Sequence, residues 1–449
     1  MTDFCIYYRL SPFVLCFLCF CGYPYTAKAQ LSEDLVSGTA DVAQSLRPAI
    51  GISVEEEYND NIYLRPDGEL DDYITRISPS FLWSRSNPRW NFDISYSPRQ
   101  ILYAKNTGFN ELRHTAFLTA GATLVRNLAF IDVTDTFTRV SLDSRRERTG
   151  ISSFAGQTDS NTLVVNPYFR RNFSRSSRLE VGYEYTNTDY NRVDASGLVY
   201  GSSYGTDRQS HGIAAIFEKN FSEQLDSEVS YRFTREIVED SAGMLYGYLG
   251  YLQNYDRHEA DLTIRYIYSR RLNLSVRGGF NRIKFDDGNS NDGSIWEIEM
   301  SYRISAAVNN SYRYLQSYEN SVQYGVYKLK RQSLEFDYER RISLALGFFT
   351  TEYDYLEINR KDSSWGITTS VGVPIKRNLD FGLTGEWRNR TYEPEDENLI
   401  RSIARASVRW AASEYLSFES GYRYAKEKST SYYNTYENNA VYLRANAEF

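Results

Sequence analysis

Leu225-Asp226-Ser227-Glu228-Val229-Ser230-Tyr231-Arg232-Phe233-Thr234 is the stretch that decides the fold. Its odd-numbered members are mostly apolar or aromatic (Leu225, Val229, Tyr231, Phe233), and its even-numbered members are charged or hydroxylated. A period of two over this length is a β-strand with two different environments on its faces. The same reading holds for Leu179, Val181, Tyr183 and Tyr185 against Glu180, Gly182, Glu184 and Thr186. It returns in Leu379, Phe381, Leu383 and Trp387, and in Leu416, Phe418, Tyr422 and Tyr424, each set alternating with polar partners. Helical spacing is confined to Leu31–Leu46, ahead of the first strand.

Between strands, two kinds of connection alternate. Short polar ones, such as Arg126-Asn127, Arg270-Arg271, Arg340-Arg341 and Lys376-Arg377-Asn378, face longer Gly-, Asn-, Ser- or acid-rich ones at 59–72, 141–161, 191–206, 239–253, 286–293 and 393–397. That is the punctuation of an up-and-down antiparallel meander. Along residues 49–449 it predicts an all-β chain forming a single large transmembrane β-barrel of 18–20 strands, the stretch 305–330 being poorly punctuated.

Alternation alone does not say which face meets water. The polar face carries full charges of both signs, as a wet interior requires, and Trp83, Trp90, Trp296, Trp387, Trp410 and Tyr424 sit near strand ends, where interfacial girdles belong. A closed barrel is also the only sheet that leaves no unpaired backbone group in hydrocarbon. The chain holds 39 Tyr and 24 Phe but 10 Pro, and its 51 Lys+Arg are outnumbered by 58 Asp+Glu. Such an acidic balance speaks against a nucleic-acid partner. After residue 30, no apolar run approaches the ~18 residues of a spanning helix.

All four cysteines (Cys5, Cys16, Cys19, Cys21) lie in the first 21 residues. Arg9, the apolar run Leu10–Phe20 and the small residues of Ala27-Lys28-Ala29 read as a secretory signal peptide over 1–29, with 30–48 a periplasmic segment ahead of the barrel. The expected location is the outer membrane of a Gram-negative bacterium. The expected partners are outer-membrane lipid and lipopolysaccharide, and the barrel-assembly machinery. The last strand alternates Val441, Leu443, Ala445, Ala447 and ends on Phe449, the expected assembly signal.

Residues 54–64, Val-Glu-Glu-Glu-Tyr-Asn-Asp-Asn-Ile-Tyr-Leu, and Ile77-Ser78-Pro79-Ser80-Phe81 follow a pattern of E-x-x-Y-N-D-N-I-Y-L and S-P-x-hydrophobic. This resembles the β-barrel porin type 2 family, and within it the barrels associated with exopolysaccharide and PEP-CTERM protein-sorting gene clusters. The resemblance implies a role in export of polysaccharide across the outer membrane, with a periplasmic polysaccharide-export protein as partner. A general diffusion porin, or a structural barrel that binds surface glycans without transport, stays open beside it.

No catalytic, cofactor or metal site is expected. The three histidines, His114, His211 and His258, are far apart in sequence and lie in alternating wall patterns, and no cysteine follows residue 21. The run Asp286–Gly293 has a calcium-loop look, but its glycine falls one place late and Ile298 stands where a bidentate Glu belongs. The expected functional surface is the lumen, lined by Glu228, Arg232, Arg277, Glu297, Glu299, Arg303, Glu386, Arg388, Glu419 and Arg423. Charges of both signs hydrate a wall without selecting one ion. A constriction is expected from Tyr246, Tyr248, Tyr251 and Tyr255, whose rings can stack on sugar faces.

Overall fold

The computed structural model describes residues 48–141, 157–191, 205–239, 252–322, 324–394, 396–431 and 434–449. Strand follows strand throughout: β1 (Ala49–Asn59), β2 (Asp72–Asn87), β3 (Trp90–Tyr96), β4 (Arg99–Tyr103), β5 (Glu111–Arg113), β6 (Ala116–Val125), β7 (Ala129–Ser141) and β8 (Gln157–Ser174). Then come β9 (Ser177–Tyr190), β10 (Arg208–Asn220), β11 (Leu225–Val238), β12 (Tyr255–Ser269), β13 (Leu272–Phe285), β14 (Ser290–Ser305) and β15 (Val308–Asn320). The series closes with β16 (Val326–Glu339), β17 (Ser343–Tyr355), β18 (Arg360–Lys376), β19 (Leu379–Glu393), β20 (Glu397–Ala411), β21 (Leu416–Ser429) and β22 (Tyr436–Glu448).

Pro98, which has no N–H to donate, interrupts one wall strand between β3 and β4. The neighbouring strand breaks opposite it, between β5 and β6. Ser97 and Thr115 bridge the two breaks, each N–H donating to the other's carbonyl at 2.8 and 3.3 Å. The 22 segments therefore make 20 wall strands. Each pairs antiparallel with its chain neighbours, and β1 pairs with β22 from Gly51↔Glu448 to Asn59↔Ala440, closing the sheet on itself. This is the predicted all-β up-and-down barrel. For 20 strands about 4.8 Å apart and tilted near 40°, the backbone diameter is about 40 Å.

Pleating sends the alternate side chains to opposite faces, and the apolar set points outward. Ile213, Val229, Tyr231, Leu262, Ile264, Phe280, Leu334, Leu346, Phe348, Val441 and Leu443 are all exposed. At about 25 cal/mol per Å² of apolar area, a belt of this extent is costly to expose to water, where soluble monomers rarely show contiguous apolar patches beyond a few hundred Å². The solvent for this face is hydrocarbon. Aromatic rings rim the belt: Trp90 stacks on Phe92 and Trp410 on Phe418 near the short-turn end, and Trp365 meets Trp387 at 4.5 Å nearer the long-loop end. Trp296 lies over Gly278, where a Cβ would stand 2.6 Å from the indole ring.

Candidate functional site: a charge-paired lumen with an inturned rim

The inward face carries Glu55, Glu57, Arg76, Arg423 and Arg444 as one network. Arg76 donates to Glu55 at 2.5 Å and to Glu57 at 3.1 Å, Arg423 reaches Glu57 at 3.3 Å, and Arg444 pairs with Glu55. Four strands meet in it, β1, β2, β21 and β22, so the network sits on the closing seam of the barrel.

The predicted lumen residues occupy the same face. Glu228 is buried and accepts from Arg265 at 2.7 Å. Arg277 is forked onto Glu259 at 2.7 Å and Asp261 at 3.0 Å. Arg313 holds both Glu297 and Glu299, the latter at 3.1 Å. Arg388 meets Glu386 at 3.1 Å, and Glu419 accepts the Tyr442 hydroxyl at 2.7 Å. Arg232, half-buried, alternates inward with Glu228 and Ser230 on β11, and Arg303 lies exposed at the short-turn end of β14. Sequence reading missed the partners Arg265, Glu259, Asp261 and Arg313. Their signal was present in part: all four hold inward parity, and Glu259 and Arg313 lie directly opposite the predicted Arg232 and Glu299 in the strand register.

Two segments fold into the long-loop end from opposite sides. The first is the 60–71 connection. Ile62 packs with Ile74, Ile101 and Tyr103, and Leu64 with Ala425 and Tyr436, all on the inward face. Asn61, fully buried, donates to the carbonyls of Arg65 (2.8 Å) and Glu437 (2.9 Å) and accepts the Arg65 N–H at 3.0 Å. Asn438 donates to Asn59 at 2.5 Å, and Asp60 accepts both the backbone and side-chain N–H of Asn439 at 2.7 Å. The Asn59-Asp60-Asn61-Ile62 motif thus fastens β1 to β22 and turns the chain inward.

The second is the tip of the β15–β16 hairpin. Below it, β15 pairs with β14 from Ser305↔Val308 up to Trp296↔Gln316, where this ladder stops. The remaining Ser290–Ile295 of β14 pairs only with β13. Freed from β14, β15 slides inside the wall. Tyr318 then packs on the inward-facing Tyr255, Ile283, Phe285 and Ile295, and is 3% exposed. A Cβ at Gly293 would stand 1.7 Å from the Tyr318 hydroxyl, so the passage of β15 behind β14 needs glycine there. Gln316 donates to the carbonyl of Ser294 at 2.6 Å and caps the departing edge.

The tip reaches residues five wall strands away. Thr206 N–H donates to the Val322 carbonyl at 3.1 Å, and Arg208 to that of Ser321 at 2.8 Å. Arg257 donates to the Tyr318 carbonyl at 2.9 Å. Tyr255 donates its hydroxyl to Asn320 at 2.7 Å, and Asn320 donates in turn to Glu236 at 3.0 Å. From the other side Glu357 accepts the N–H groups of Gln253 and Val326, both at 3.0 Å. Burial raises the Glu357 carboxyl above its ordinary range, and these two hydrogen bonds offset part of the rise. Tyr255 thereby anchors the β15–β16 tip, a different segment from the loop it was expected to constrict with. Tyr246, Tyr248 and Tyr251 lie outside the described residues.

The loop at Asp286–Asn289 is a turn. Asp287 accepts from Gln253 and Asn289, and Asp286 from Arg235. Those bonds hold both carboxyls below their usual values. Among the described residues, no group of three or more His, Cys, Asp or Glu side chains is placed to hold a metal ion. At the other end of the chain, Phe449 is largely exposed and exchanges both backbone hydrogen bonds with Ile50, at 2.7 and 3.3 Å.

No family model matches this chain, and no curated protein matches it by sequence. Solved structures do match. The ferric citrate transporter FecA in its unliganded form superposes with a TM-score of 0.52 at 11% identity, over 91% of this chain and 79% of that one. The FrpB iron transporter from Neisseria meningitidis gives 0.51 at 11% identity, over 90% and 83%. At such identity the likeness is one of fold. The shared fold is that of a large closed β-barrel.

Proposed function

We propose that the chain is an outer-membrane channel for a large hydrophilic solute, with short turns on the periplasmic side and long loops outside. A carbohydrate chain is the solute whose chemistry fits best, and export of an exopolysaccharide is the specific reading. The observation that supports it is the lumen wall, in which Arg76, Arg265, Arg277, Arg313 and Arg388 each stand against carboxylates. Such a wall binds water along its length while offering little net field to attract or repel an ion. The polymer meets hydroxyls, amides and paired charges along the described wall.

A pore of this width cannot stand open, and the inturned β15–β16 tip is its gate. A T206C/V322C variant tests this, because these residues are in backbone contact and the chain has no cysteine after residue 21. In planar bilayers the oxidised variant is expected to stay at low conductance, and dithiothreitol to raise it. Oligosaccharides added to the reduced channel are expected to interrupt the current. A reduced variant that is electrically silent refutes the channel. A conducting channel indifferent to oligosaccharides, together with unchanged surface polysaccharide when the gene is lost, leaves a diffusion porin.

A further inference from the structure

The three histidines of this chain make the same contact three times. Tyr96 pairs with His114, Tyr183 with His211 and Tyr231 with His258, each through the tyrosine hydroxyl and Nδ1, at 2.9, 2.7 and 2.8 Å. All three tyrosines are exposed on the outer wall. The next strand then presents an arginine. His211 lies opposite Arg235 and His258 opposite Arg282 in the register. Arg139 stands two residues beyond Phe137, the partner of Ala116, just as His114 stands two before Ala116.

Each arginine is in turn paired, on the strand after, with the aspartate directly opposite it. Arg139 meets Asp159 at 2.7 Å, Arg235 meets Asp256 at 3.2 Å and Arg282 meets Asp292 at 3.4 Å. The unit Tyr–His–Arg–Asp therefore runs across four adjacent wall strands, and it occurs three times between β3 and β14. Its Arg and Asp members lie within four residues of the long-loop ends of their strands. Ile213, Val229, Leu262 and Phe280 of the apolar belt lie directly below.

We propose that these three units are seats for the sugar headgroup of an outer-leaflet glycolipid. The inference rests on the outward placement of the long loops in the reading above. At the boundary of the hydrocarbon belt each unit offers a ring face, an imidazole with Nε2 turned away from its tyrosine, and an Arg–Asp pair with both donors and acceptors. That combination matches a sugar, whose hydroxyls need both kinds of partner and whose C–H face needs an aromatic surface. A phospholipid phosphate would instead need uncompensated cations, and two of the three arginines already hold two carboxylates: Arg139 adds Glu111 and Arg235 adds Asp286. The wall from β15 to β22 carries outward Lys–Glu pairs, Lys330–Glu352 and Lys426–Glu437, without this unit.

Native mass spectrometry of the detergent-purified protein tests the proposal, with lipid A and phosphatidylglycerol as probes. The wild type is expected to retain lipid A over phosphatidylglycerol. The triple variant R139M/R235M/R282M is expected to retain roughly ten-fold less lipid A, the equivalent of one lost charged fork per site. H114L/H211L/H258L, which leaves the Arg–Asp pairs intact, is expected to lose retention as well, while K330M/K426M is not. Heat-modifiable gel mobility shows which variants have folded. Equal retention of both lipids, or wild-type retention by a folded histidine variant, overturns the proposal. A wild type that conducts without retaining lipid A sinks this inference and leaves the channel standing; a silent wild type that retains it does the reverse.

Discussion

Tyr318→Ala is the perturbation that separates a gate from a fixed ornament of the rim. Tyr318 is nearly fully buried against Tyr255, Ile283, Phe285, Ile295 and Val326, yet none of the ladder between β14 and β15 depends on it, since that ladder ends at Gln316. Truncating a buried aromatic costs about 3 kcal/mol at the low end of the usual range. Here the loss falls on the packed arrangement of the tip alone, because in the released arrangement the ring would face water. The closed-to-open ratio is then expected to fall by roughly two powers of ten. The hydrogen bonds from Thr206, Arg208 and Arg257 remain available, so the tip is expected to visit both states rather than stay open. Single-channel recording is the assay: long closed dwells in the wild type, frequent openings in the variant, and the same full-open conductance once T206C/V322C is reduced. Identical open probability in variant and wild type would refute the reasoning, because it would mean that the tip does not obstruct the current path.

Glu57→Gln removes the carboxylate shared by Arg76 and Arg423 at the closing seam, and is expected to destabilise the barrel by about 3–5 kcal/mol, read as a lower unfolding midpoint in denaturant. The raised carboxyl of Glu357 means that the closed tip binds a proton more tightly than the released one. Closure is therefore favoured as the pH falls from above the raised value toward the ordinary 4.5, and Glu357→Gln should abolish this part of the pH dependence of conductance. Deleting Phe449 removes the two backbone bonds to Ile50 and is expected to lower the yield of heat-modifiable, membrane-assembled barrel. An epitope inserted at 150–157 is expected to be reached by antibody on intact cells, and one at 376–378 only after permeabilisation.

Most of the wall was legible because a barrel reads each residue through its parity. Val229 and Tyr231 face out and Glu228 and Ser230 face in, and nothing beyond alternation is needed to say so. The turns were legible for a similar reason: Arg270-Arg271 and Arg340-Arg341 interrupt apolar alternation with two consecutive charges. Parity is also why the tip escaped notice. Tyr312, Tyr314, Gln316 and Tyr318 continue one outward-reading series, and Tyr312 lies opposite the exposed Met300 and Leu334 as that series requires. Above Gln316 the strand has left the wall, so the face that parity calls outward meets the inner surface of β13 and β14. The room for that departure comes from Gly293 in another strand, where a Cβ would strike the Tyr318 hydroxyl. The same holds for the histidine units: pairs of distant positions become neighbours only once the register is fixed.

A lumen whose charges cancel locally leaves control to the rim, and the two inturned segments are not equivalent there. The 60–71 segment is fastened to β22 by Asn61 and Asp60 and packs on strands adjoining its own, so moving it would strip the seam that closes the barrel. The β15–β16 tip is built the other way. Its contacts with Thr206, Arg208 and Arg257 cross to the far side of the rim, while its bond to the neighbouring strand β14 is already absent. Releasing it costs a handful of hydrogen bonds, each worth about 1 kcal/mol against water and somewhat more to charged donors, together with one buried aromatic. The β14–β15 ladder stays whole, and the rungs that part are the few at the top of β15–β16, from Ser317↔Leu329 to Asn320↔Val326. A cost of that size lies within reach of a solute or partner that favours the released tip, because its differential affinity for the two states is what shifts them. Glu357 ties the same tip to Gln253, at the root of the 239–254 connection. Two residues on, Tyr255 holds the same tip through Asn320, so under the proposed gating a pull on this root would reach the tip by both bonds.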